Sequence, residues 1–163
     1  MKSFLLKIIT LFALSANLFA DNSSANVSAV AVSSNTMSIS GMEYGFGLGF
    51  DHEFKNSVVL GANGRFTYAD LGAGADWNMI NVLFEVNLGY RYKDFEAYAI
   101  LPMLITSSEA INSTGFGYGV GLKYKVSKSF TLRTEYVSTS MSDIETDLDY
   151  DYSSISISVC YKY

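Results

Sequence analysis

Between residues 79 and 92 the side chains alternate. Ile80, Val82, Phe84, Val86, Leu88, Tyr90 and Tyr92 are apolar or aromatic, while Asn81, Glu85, Asn87, Gly89 and Arg91 between them are polar or small. Only Leu83 breaks the pattern. A period of two sends successive side chains to opposite faces of a strand, so one face is apolar along its length and the other carries ionisable groups. At roughly 3.3 Å per residue the stretch exceeds the ~9–11 residues that a tilted strand needs to cross a bilayer's hydrocarbon layer.

The same alternation recurs. Met42, Tyr44, Phe46, Leu48, Phe50, His52 and Phe54 share one face of a strand, against Glu43, Gly45, Gly47, Gly49, Asp51 and Glu53. Val58, Leu60, Ala62, Gly64, Phe66 and Tyr68 oppose Val59, Gly61, Asn63, Arg65 and Thr67. Further on, Phe116 to Val126 alternate with Gly117, Gly119, Gly121, Lys123 and Lys125. Phe130, Leu132, Thr134 and Tyr136 alternate with Thr131, Arg133, Glu135 and Val137, and Ile155, Ile157, Val159, Tyr161 and Tyr163 with Ser154, Ser156, Ser158, Cys160 and Lys162. Residues 95–105 are apolar on both faces, which leaves their register open, and Pro102 predicts a bulge because it has no N–H for a ladder. Residues 27–32 alternate poorly.

Connection lengths set the strand count. The turns after Phe54, Tyr92 and Val126 are short and share one side with the end at Tyr163, whereas residues 69–78, 106–114 and 141–151 form longer polar connections. Bacterial single-chain barrels use an even number of strands, with short turns in the periplasm. The strand ending at Phe54 then starts outside, so residues 27–32 must bring the chain up from the periplasm. The fold predicted is all-β: an eight-stranded antiparallel up-and-down transmembrane β-barrel over residues 21–163, with four external loops.

Composition agrees. Tyr and Phe supply 12 and 11 of 163 residues, and Pro and Cys occur once each. Mean hydropathy is +0.19, yet the only long apolar run is N-terminal. Residues 1–20 have a basic start, an apolar middle and a small final Ala20, the marks of a cleaved signal peptide. Net charge is −5, and losing Lys2 and Lys7 makes the remainder more acidic still, which argues against nucleic acid as a partner.

The inward charges are Glu43, Asp51, Glu53, Glu85 and Glu135 against Arg65, Arg91, Lys123, Lys125 and Arg133, with Lys162 beyond them. An eight-stranded barrel is just wide enough for its side chains to fill, so these groups are expected to pair with one another in the lumen. Pairing Phe54 with Val58 sets Gly47 opposite Arg65 and Gly49 opposite Asn63, and pairing Val126 with Phe130 sets Gly121 opposite Glu135. Glycine then makes room for the large partner. Asp143, Glu145, Asp147, Asp149 and Asp151 form an acidic external loop, read as solvated. It lacks the glycine and closing glutamate of a calcium loop, so no metal site is assigned, and weak divalent bridging to lipopolysaccharide phosphates is the alternative. The glycine runs lack the spacing of phosphate loops, and no cofactor is expected. His52, the only histidine, falls beside a short turn on the lipid-facing side and is assigned to the aromatic girdle. No serine nucleophile is given a base, and no catalytic residue is named. The girdle itself comprises Tyr44, Phe66, Tyr68, Trp77, Phe116 and Tyr136 outside, with Phe54, Tyr90, Tyr92, Phe95, Tyr124, Phe130, Tyr161 and Tyr163 at the periplasmic side.

With these patterns in place, the chain resembles the small outer-membrane β-barrels of Gram-negative bacteria, the OmpA membrane-domain, OmpX and opacity-type group. Ser156, Tyr161 and Tyr163 are similar to the polar, aromatic and terminal aromatic positions of that group's assembly signal, with Ser158 where glycine is usual. The resemblance implies an outer-membrane location, insertion by the barrel-assembly machinery, and contact with outer-membrane lipid and lipopolysaccharide. The function expected is structural or surface-interacting, without catalysis, with a host or cell-surface ligand as a possible partner. A narrow channel for ions or very small solutes is the alternative.

Overall fold

The computed structural model describes residues 23–36, 39–70, 78–108, 112–143 and 148–163. The signal segment at 1–20, Trp77, Glu145 and Asp147 lie outside them. Eight antiparallel strands follow one another: β1 (Ser23–Thr36), β2 (Ile39–Glu53), β3 (Val58–Asp70), β4 (Asn78–Tyr92), β5 (Phe95–Ser108), β6 (Asn112–Lys125), β7 (Phe130–Asp143) and β8 (Asp149–Lys162). Each pairs with its sequence neighbour, and β1 pairs with β8 to close the barrel. Closure leaves no open sheet edge, the condition for a sheet to sit in hydrocarbon.

The alternation becomes an inside and an outside. Phe116, Tyr118, Val120, Leu122 and Tyr124 of β6 are exposed on the outer wall, while Gly119, Gly121 and Lys123 are buried between them. So broad a belt of exposed apolar side chains belongs against lipid. The expected registers are present: Gly47 opposite Arg65, Gly49 opposite Asn63 and Gly121 opposite Glu135. They follow from the turns, where the Phe54 amide donates to the Val58 carbonyl and the Val126 amide to that of Phe130.

Three expectations need correction. The strands run well past the hydrophobic alternation: β5 reaches Ser108, β6 begins at Asn112 and β8 begins at Asp149, inside stretches read as loops. Beyond the hydrocarbon layer both faces are polar, so the pattern fades while the ladder continues. Cross-strand polar pairs hold it there, among them Tyr68 OH to Asn78 at 2.6 Å, Thr106 to Asn81 at 2.6 Å and Ser107 to Asn112 at 2.8 Å. Second, β5 has a gap rather than a bulge. Its pairing with β6 lapses at Leu101 and Pro102 and resumes at Met103–Phe116 in the same register, while Glu85–Pro102 pairing with β4 is unbroken. A missing N–H removes ladder bonds without requiring an inserted residue. Third, β1 extends over 14 residues rather than six. Its outward residues are largely alanine and serine, and Val30 and Val32 point inward, which inverts the usual contrast.

The core is the lumen. Its outer half is mixed: among buried polar side chains such as Glu43, Thr67, Asn81 and Thr139 it holds apolar packing that the charged positions did not suggest. Leu83, Leu104, Met141 and Tyr152 pack together, as do Tyr98, Ile100 and Val137. Leu83, the one break in the alternation, is therefore a core residue. In so narrow a barrel the interior is packed like any protein core.

Candidate functional site

The paired buried charges lie toward the short-turn end, whereas Glu43 and Asp143 are buried nearer the long connections. Glu135 on β7 is the hub. Arg65 Nη1 on β3 donates to Glu135 Oε2 at 3.0 Å and to Ser156 Oγ on β8 at 2.9 Å. Tyr98 OH on β5 donates to Glu135 Oε1 at 2.8 Å, and the Ser156 hydroxyl reaches Oε2 at 3.3 Å. Arg133 lies 3.3 Å from Glu135 and 3.5 Å from Glu85. The Tyr98 ring reaches β7 by crossing Gly121, where a Cβ would fall 2.3 Å from a ring carbon. Glycine at that position admits the crossing.

A second cluster sits nearer the periplasmic mouth. Lys123 Nζ donates to both Asp51 carboxylate oxygens at 2.9 and 3.0 Å and lies 3.1 Å from Glu96. Arg91 joins Glu96 at 2.6 Å and also pairs with Glu53. Glu96 and Tyr98 were missed in the sequence because the flat hydrophobicity of 95–105 hid which face of β5 turns inward. Their polar atoms, spaced two apart like Glu135 and Arg133, were the available signal.

Two members of the expected charge network behave otherwise. Glu43 is buried but held by hydroxyls, accepting from Tyr152 OH at 2.9 Å and from Thr67 Oγ1. No cation lies within salt-bridge distance of it among the described residues. Lys125 is exposed at the periplasmic rim, where its strand ends, so it lines the mouth instead of the packed lumen.

The acidic loop also divides. Asp143 is buried at the end of β7, where its carboxylate accepts from the Asn112 amide at 3.1 Å and the Ser113 hydroxyl at 3.4 Å, so it is not a solvated loop residue. Asp149 and Asp151 are exposed on β8, and Asp151 accepts from Ser140 at 3.3 Å. Of the three assembly-signal residues, Ser156 faces the lumen, bonded as above, and Tyr161 and Tyr163 face outward with ring centres 6.4 Å apart. A ring of aromatics continues from them: Phe130 stands 5.4 Å from Tyr161, and Phe95 stands 4.7 Å from Tyr124.

His52 does meet a serine. Its Nδ1 lies 3.0 Å from Ser23 Oγ, and its ring stands edge-on to Phe54 at 4.6 Å. The flanking acids of the strand, Asp51 and Glu53, point to the opposite face, as alternation requires. Neither lies on the same side of β2 to orient the imidazole as a third member of a triad would.

Comparison with solved structures finds the same architecture. Neisserial surface protein A superposes with a TM-score of 0.61 at 12% identity, covering 86% of this chain and 97% of that one. The Yersinia pestis attachment invasion locus protein Ail, in complex with the heparin analogue sucrose octasulfate, gives 0.59 at 16% identity over 86% and 97%. The outer membrane enzyme PagL gives 0.57 at 15% identity over 83% and 97%. Likeness at such identities is one of fold alone. No relative was found among proteins of curated function. The profile of the outer membrane protein beta-barrel domain matches residues 8–163, nearly the whole chain. Matched profile, closed eight-strand topology and lipid-facing wall agree: the chain belongs to the outer membrane protein beta-barrel domain family and resides in the bacterial outer membrane.

Proposed function

We propose that the protein is a non-catalytic surface barrel that acts through its external connections and does not conduct. The observation that carries this reading is the bonding across the lumen: four strands are tied through Glu135, and Leu83, Leu104, Met141 and Tyr152 pack together on its outer side. Paired charges in a narrow barrel leave no continuous water path. The Ser23–His52 pair lies at the periplasmic rim on the lipid side of the wall, away from the bonded lumen.

The charge of the outer end selects among partners. Residues 69–78, 106–114 and 141–151 contain eight carboxylates and no Lys, Arg or His. That chemistry suits a basic partner surface, or divalent cations bridging to lipopolysaccharide phosphates, and opposes a polysulfate such as the one bound to Ail. Insertion would use Ser156, Tyr161 and Tyr163 as the signal read by the assembly machinery, after removal of residues 1–20 as a signal peptide. In planar bilayers the purified protein should give at most rare, small conductance. Replacing 144–148 by a short turn should alter attachment to cells or to divalent-loaded lipopolysaccharide and leave insertion intact. A steady conductance sensitive to charge reversal at Arg65, Glu85 or Lys123, and indifferent to the loop, would make the protein a channel.

A further inference from the structure

The opposite end of the barrel has the opposite charge. Outside the N-terminal 20 residues, every cation of the chain except Arg65 lies in the periplasmic half or its turns. Seven of them, with four carboxylates, line a cavity of about 160 Å³ at the periplasmic mouth. In a chain of net charge −5 this is a local reversal of sign.

The ion pairs do not absorb the excess. Lys123 and Arg91 take Asp51, Glu53 and Glu96 between them, and Arg133 turns to Glu85 and Glu135 deeper in the lumen. Lys125, Lys128 and Lys162 have no carboxylate within 4.0 Å among the described residues, and Lys93 lies over the Tyr92 ring. The rim lysines thus stand above a floor of buried, immobilised pairs, with Lys123 only 6% exposed. With three of its four carboxylates tied into ion pairs, the cleft keeps a net positive lining, and low-dielectric walls focus such a field and concentrate counter-ions. Its volume admits a tetrahedral oxyanion with some of its hydration.

We propose that this periplasmic vestibule binds a phosphate-class oxyanion, with Lys125 and Lys162 as its principal contacts and the Lys123–Glu96–Arg91 pairs as its floor. The phosphate belongs either to a soluble periplasmic compound or to a lipid headgroup of the inner leaflet, since both present the same charged oxygens to the rim. Lysine recognises such a group as a point charge, so affinity falls with ionic strength.

Titration calorimetry of the folded barrel in a phosphate-free maltoside detergent, with inorganic pyrophosphate as probe, tests this. Saturable binding should weaken by about tenfold in the Lys125→Gln/Lys162→Gln double variant, from the loss of two exposed charge contacts. It should persist in Lys55→Gln, which removes an exposed lysine of a periplasmic turn that does not line the cavity. Absence of saturable binding, or equal loss in Lys55→Gln, overturns the proposal. The unaltered protein gives an independent reading that needs no variant to fold: pyrophosphate should shift amide resonances of Ser24, Lys125 and Lys162, and shifts confined to the Lys55 turn would refute the site. Competition by dihexanoyl phosphatidylglycerol, but not by the zwitterionic phosphatidylcholine of the same chain length, assigns the phosphate to a headgroup. Pyrophosphate binding that resists both assigns it to a soluble compound.

Discussion

At the residue scale, Glu85 and Glu135 look equivalent in sequence, both inward carboxylates on neighbouring layers. Their surroundings differ. Glu135 accepts from Arg65, Tyr98 and Ser156 and lies beside Arg133, whereas among the described residues Glu85 is met by Arg133 alone, at 3.5 Å. Breaking a buried pair strands its partners, at about 3–5 kcal/mol, so Glu135→Ala should be the most damaging single change in the lumen. Arg65→Ala should cost less, about 1–3 kcal/mol, because Arg133 and Tyr98 remain on the carboxylate. Glu85→Gln removes a sparsely bonded buried charge and should leave stability nearly unchanged. Denaturant midpoints of the three variants in detergent check the ranking, and equal midpoints would contradict it.

At the scale of the element, β1 is the strand whose sequence says least and whose position matters most, because it closes the barrel. Ala29 pairs with Phe46 on one side and Val159 on the other, and faces lipid near the middle of its strand. A slip of one residue would exchange every inward and outward side chain. Ala29→Lys should therefore cost about 2–4 kcal/mol, as a lysine at the bilayer midplane does, while a lysine at Asn35 near the outer rim should cost less than about 1 kcal/mol. Similar losses at both positions would mean a different register. The gap opposite Pro102 reads the same way: pairing on the β4 side and on both flanks holds β5 in place, so two missing pairs shift nothing.

For the whole molecule, strand length and closure decide behaviour. Strands of 13 to 15 residues are about 45 Å long, and a tilt of roughly 40° leaves about 35 Å of height, more than the ~25 Å apolar band. The surplus stands outside as a polar collar built from the serine, threonine and asparagine pairs of the strand ends. A closed wall with a bonded interior resists detergent, so unboiled protein should migrate faster than boiled protein on a denaturing gel. Identical migration before and after boiling would show that the barrel does not close in detergent.

Period-two alternation and turn placement determined strand number, the lipid-facing side and the registers around Gly47, Gly49 and Gly121, because each depends only on neighbours along the chain or across a tight turn. Most of the inward charges were legible for the same reason, although Glu96 was hidden in β5 and Lys125 stands at the rim. Their pairing was not. Which acid meets which base depends on strand tilt and on reach across the lumen, which is how Tyr98 of β5 comes to bond Glu135 of β7 over a glycine between them. The inward face of β5, the apolar cluster around Leu83 and Leu104, and the burial of Asp143 were likewise decided in three dimensions, where sheet closure turns one face of every strand into a single narrow core.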